Sequence, residues 1–107
     1  MDARTARDPL IVYGHRDCLT ALMLATLLTE RQIAYEWRDV QAAAAQYQAE
    51  LRQLAGGYLS VPTVIFPDGS VLVERPWEVL DKLGVGRPGF LAQVRLGLAA
   101  MRRRSAA

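Results

Sequence analysis

The sequence predicts a single α/β domain in which four short strands and three helices run in the order βαβαββα, with one further helix at the C-terminus. Three observations carry this expectation: short β-branched apolar runs bounded by Pro or Gly, Ala- and Leu-rich stretches between them, and a late Pro-Asp-Gly turn joining two strands directly. A chain of 107 residues, 51% of them apolar, has the length of one domain and enough apolar material for a core.

Leu10 to Tyr13 is apolar and β-branched between Pro9 and Gly14, as a buried strand reads. Asp17 is a capping residue type. From Cys18 to about Gln32 there is no Gly or Pro, so a helix is expected there with Cys18 in its first turn. Ala34 to Val40 alternates with a period of two and carries aromatic side chains, which predicts a second strand. Ala42 to Leu54 is rich in Ala, Gln and Glu and stops at Gly56-Gly57, which predicts a helix with a left-handed end. Thr63 to Phe66 and Ser70 to Glu74 flank Pro67-Asp68-Gly69 and predict a hairpin. Pro76 suits the first position of a helix that Gly84 closes. After a breaker over Gly86 to Gly89, a last helix is expected from Phe90 to about Arg103.

The first two strands, joined by a helix, should be parallel, and the hairpin should extend the same sheet. This is the minimal thioredoxin-fold order. Residues 1–9 read as a flexible leader, 10–84 as the domain, and 85–107 as a linker with an amphipathic helix that ends in Arg102, Arg103 and Arg104. In the first helix, Ala21, Leu24, Ala25 and Leu28 should face the sheet. Leu19, Leu22, Met23 and Leu27 make the opposite face apolar as well, and something should cover it. The last helix supplies a stripe of Phe90, Leu91, Val94, Leu98 and Met101, expected to be that cover within one subunit or between two, ahead of docking at a membrane surface.

Composition excludes several functions. Thirteen basic and eleven acidic residues give a net charge of +2, too balanced for a nucleic-acid-binding domain. Cys18 is the one cysteine, so an internal disulfide, a multi-cysteine metal site and a secreted disulfide framework are all ruled out. The leader lacks the apolar segment of a signal peptide, and Leu19 to Leu28 is far shorter than the roughly 20 residues that span a bilayer, so a reducing, cytoplasmic setting is expected.

A cysteine at a helix start faces unpaired backbone amides and the positive end of the helix dipole, and both favour the thiolate, which is the nucleophile. His15 and Arg16 could add positive charge, and Asp17 opposes them. The plain alternative is a small apolar residue filling a gap.

The segment IVYGHRDCLTALMLATLLTERQIAYEWRDV, followed by YLSVPTVIFPDGSVLV, resembles the glutaredoxin family and its mycoredoxin branch most, over roughly Pro9 to Leu83. The resemblance implies a thioredoxin fold. It places the attacking cysteine of a CxxC motif on Cys18 and the resolving cysteine on Ala21. It also implies a cis Val61-Pro62 bond beside the thiol, with Val61 offering its backbone to an extended substrate segment, and a thiol-binding basic position at His15, next to Arg16.

The departures from the family are informative. Val73, Glu74 and Pro76 stand where glutathione-using members carry Gly-Gly and Asp, so mycothiol is at least as compatible as glutathione as the low-molecular-weight co-substrate. With Ala21 in place of the resolving cysteine, only a monothiol cycle on a thiolated client protein is open. No bound cofactor or metal is expected, because cluster-sharing monothiol relatives have CGFS where this chain has Cys18-Leu19-Thr20-Ala21. Two other readings stay open. One is a redox-inert interaction module that uses the apolar active-site face, alone or as a homodimer through the first or last helix. The other is an arsenate-reductase-like protein, although roughly 20 residues between Asp39 and Val61 leave no room for that group's helical insertion.

Overall fold

The computed structural model describes residues 8–42 and 44–105. Its elements are β1 (Leu10–Gly14), α1 (Leu19–Glu30), β2 (Tyr35–Asp39), α2 (Ala44–Leu54), β3 (Thr63–Ile65), β4 (Val71–Val73), α3 (Pro76–Leu83) and α4 (Phe90–Ser105). The sheet order is β2-β1-β3-β4. β1 and β2 are parallel, with Val12 opposite Trp37, and β3 runs antiparallel to both β1 and β4. This is the thioredoxin fold. Most of the expected leader, residues 1–7, lies outside the described residues.

The alternation of β1 divides the core between the two faces of the sheet. Leu10 and Val12 pack with Leu24, Leu27 and Leu28 of α1, Val79 and Leu80 of α3, and Leu96 of α4. Ile11 and Tyr13 point the other way, against Val40 and Leu51, with Tyr47 and Leu54 of α2 alongside. Both faces of β1 are therefore covered, as its unbroken apolar run requires. The turns follow residue chemistry: Gly84 closes α3 at φ 74°, and Gly69 takes φ 87° in the hairpin turn, where the Asp68 carboxylate accepts from the Ser70 amide at 2.9 Å.

Two expectations about α1 and α4 need correction. Cys18 is not inside the first turn of α1. It is the N-cap, in an extended conformation at φ −94° and ψ 99°, and so takes the place expected for Asp17. The Asp17 amide instead donates to His15 Nδ1 and the Cys18 amide to the His15 carbonyl, a tight loop that delays helical geometry by one residue.

The second correction concerns the face of α4. The helix does cover α1, burying Leu22, Thr26 and Leu27, but the side it turns inward carries Leu96 and Ala100, both 0% exposed. Ala92, Gly97 and Ala99 flank them. The expected stripe faces outward, with Phe90 79% and Leu91 80% exposed and Val94, Leu98 and Met101 about half exposed. Small residues let two helix backbones approach closely, which the bulky stripe would prevent. Polar contacts fix the same rotation: Arg95 pairs with Glu30 at 2.6 Å, Arg103 donates to the Thr26 hydroxyl at 3.0 Å, and Arg16 donates to the Arg104 carbonyl at 2.6 Å.

Candidate active site

The site forms where the β1–α1 loop meets the approach to β3. β1 ends at Gly14, which is forced by packing: a Cβ there would lie 2.5 Å from Trp37 Cη2 and 3.0 Å from the Ala21 Cβ. With Gly14 in place, the indole of β2 lies close to both the end of β1 and the first turn of α1. The chain then turns through His15, Arg16 and Asp17 and presents Cys18, half-buried, at the N-cap.

The Cys18 side chain makes no capping hydrogen bond to α1, and no acidic residue stands in the helix's first turn. The sulfur lies 4.0 Å from the Val61 carbonyl oxygen instead. Nothing within α1 therefore competes with the sulfur for the amides at the helix start. The Val61-Pro62 bond is cis, and Pro62 is buried. Its carbonyl accepts from the Glu74 amide at 2.8 Å, and the Thr63 hydroxyl donates to the Ser60 carbonyl at 2.7 Å. These bonds hold the segment carrying Val61 in place beside the thiol.

Of the residues singled out from sequence, Cys18, Val61 and Pro62 come together. His15 adjoins them, but its Nδ1 accepts from the Asp17 amide, so the ring braces the loop. Arg16 is exposed and tied by its guanidinium to the C-terminal end of α4. Ala21, at the resolving position, is 0% exposed. Tyr58, 72% exposed, and Leu59, 38% exposed, lie just upstream of Ser60 and leave apolar surface there that no sequence motif singles out.

A second polar cluster stands on the opposite face of the sheet. The Tyr13 hydroxyl donates to Glu50 at 2.7 Å, and Arg38 donates to both, at 2.8 and 2.9 Å, with its guanidinium 5.5 Å from the Tyr47 ring centroid. Burial, reinforced by the bond to Glu50, pushes the Tyr13 hydroxyl up to about 12, while the same bond holds the Glu50 carboxyl below its usual range. The cluster fastens α2 to the sheet and takes no part at Cys18. Among the described residues no group of three or more potential metal ligands occurs, and no helix is long and apolar enough to cross a membrane.

Comparison with known proteins gives a consistent picture. No protein-family model matches the chain. Two Mycobacterium tuberculosis proteins, named "Putative glutaredoxin MT3292" in strain CDC 1551 / Oshkosh and "Putative glutaredoxin Rv3198A" in strain ATCC 25618 / H37Rv, are each 40% identical over 65 residues, covering 59% of this chain and 74% of the relative. Crystal structures of the thioredoxin-like protein BC3987 and of a mutant of it superpose with a TM-score of 0.59 at 31% identity. They cover 69% of this chain and at least 96% of theirs.

Proposed function

The chain belongs to the glutaredoxin-like family, and from that premise we propose that it performs monothiol thiol–disulfide exchange through Cys18, in the manner of the mycoredoxin branch. The observation that carries this reading is the placement of Cys18 at the N-cap of α1, with its sulfur uncommitted to capping and beside the Val61 carbonyl. Val61, which precedes the cis bond to Pro62, is the backbone against which an extended client segment aligns.

The cycle follows from what the site contains. The Cys18 thiolate attacks the small-thiol sulfur of a client mixed disulfide. The S–S bond to the client breaks, the client sulfur leaves as a thiolate and takes up a proton, and the small thiol stays on Cys18. A second small-thiol molecule, as its thiolate, then attacks that sulfur, releasing the Cys18 thiolate and a symmetrical disulfide of the small thiol. The client mixed disulfide and one free small thiol thus become the client thiol and the symmetrical disulfide of the small thiol, so the reducing equivalent comes from the second small-thiol molecule. No internal release competes, because Ala21 offers no sulfur. Mycothiol is the co-substrate favoured, since Val73, Glu74 and Pro76 replace the residues by which glutathione-using relatives hold their thiol. His15 and Arg16 shape the loop against which that thiol rests.

The test is turnover of a peptide carrying one mixed disulfide, with mycothiol and with glutathione as reductant in parallel. Multiple turnovers that vanish in Cys18→Ser and run faster with mycothiol are expected. Neither adduct formation nor turnover would favour the redox-inert interaction module, for which the absence of sulfur at Ala21 is the supporting observation. Equal rates with and without Cys18 would end the exchange reading.

A further inference from the structure

We propose that the outward face of α4 docks this protein on an anionic lipid surface. Phe90, Leu91, Val94, Leu98 and Met101 are all exposed along one side of the helix, although α4 already covers α1 with its opposite side. At the helical period they fall within about 100° of arc. That is the arrangement of a helix whose apolar side sits at a lipid interface, with the body of the domain behind it in place of a solvated polar face.

Charge selects the occupant. α4 contains Arg95, Arg102, Arg103 and Arg104 and no acidic residue. Arg102 borders one edge of the stripe and Arg104 the other at the helical period, while Arg95, on the same side as Arg102, is paired with Glu30 of α1. A second copy pairing stripe to stripe would bring Arg102 and Arg104 of two helices together with no carboxylate on either helix to offset them. An anionic headgroup layer offsets them along both edges at once. Shape agrees: α4 packs against α1, and large side chains project from its other side over the length of the helix. A row of projecting apolar side chains suits a flat, deformable surface better than a pocketed protein partner. The guanidinium of Arg16 in the thiol loop bonds the carbonyl of Arg104, so docking would carry Cys18 to the edge of that surface.

The full chain should float with vesicles of phosphatidylcholine and phosphatidylglycerol at least about tenfold more than with phosphatidylcholine alone, and rising salt should erode the difference. Leu91→Glu and Leu98→Glu, at exposed positions, should each lower the partitioning about tenfold, and Arg102→Glu about fivefold or more. Their unfolding curves in solution should overlay the unaltered chain, and Cys18→Ser should bind vesicles normally, so this result stands apart from the exchange reaction. Equal partitioning to neutral and anionic vesicles, or stripe variants that bind as before, would overturn the proposal. A dimer in solution broken by Leu98→Glu would overturn it in favour of a second copy, and binding to polyglutamate but to neither vesicle would do so in favour of an acidic protein.

Discussion

Leu96 and Leu91 stand five residues apart on α4, one at 0% and the other at 80% exposure, and truncating each to Ala separates the two faces of the helix. Leu96 belongs to the cluster that includes Val12, Leu24, Leu27 and Leu80, so Leu96→Ala removes buried methyl groups from a core that can collapse only in part. Such deletions cost about 2–5 kcal/mol. At roughly 4–8 °C per kcal/mol for a domain of this size, a central cost of about 3 kcal/mol lowers Tm by some 12 to 24 °C. Leu91→Ala removes surface that water already reaches and should stay within about 0.5 kcal/mol. Urea unfolding followed by far-ultraviolet circular dichroism reads both, with Trp37 and Trp77 fluorescence as an independent probe. The reasoning is refuted if Leu91→Ala costs as much as Leu96→Ala, because the helix would then dock through the face that the sequence pattern suggested.

Three other outcomes are expected. Gly14→Ala forces a Cβ against the Trp37 ring and Ala21 and should destabilise by about 1–3 kcal/mol, measured by the urea midpoint. The raised Tyr13 value means that the folded state prefers the neutral phenol, so this contribution is complete below the unfolded value near 10 and is lost as pH climbs towards about 12. Tyr13→Phe should flatten that alkaline limb, and an unchanged pH profile of stability would count against the buried bond to Glu50. Ala21→Cys sets a sulfur one helical turn after Cys18 and should let the pair close an internal disulfide and reduce insulin. Two free thiols surviving mild oxidation would show that the site cannot support a dithiol pair.

Much of the fold was legible because local signals agreed with the global arrangement. The β1 run between Pro9 and Gly14, the Pro-Asp-Gly hairpin, Pro76 at the start of α3 and Gly84 at its end each marked an element that the structure contains. That Cys18 stands at the start of α1 was legible from the residue pattern, and the cis Val61-Pro62 bond from the resemblance, since neither requires knowledge of packing. The orientation of α4 was not legible. Periodicity selects the bulkiest stripe, whereas close approach to α1 selects Leu96 and Ala100, and the deciding bonds to Glu30, Thr26 and Arg16 come from residues 65 to 88 positions away. The Tyr13, Arg38 and Glu50 cluster was hidden for a similar reason: its members lie on β1, β2 and α2, and only the parallel register of β1 and β2 brings Tyr13 opposite Arg38. The displacement of the N-cap from Asp17 to Cys18 turned on the His15 loop bonds, which no propensity scale contains.

The central claim is that the fold makes Cys18 an attacking thiol, and the rate at which it exchanges with a small disulfide at neutral pH, set against an unstructured peptide with the same flanking residues, tests it most directly. The placement of Cys18 at the helix N-cap, with its sulfur making no capping bond, predicts that the folded chain reacts at least about tenfold faster and loses that advantage on unfolding in urea. A folded chain that reacts no faster than the peptide would contradict the account.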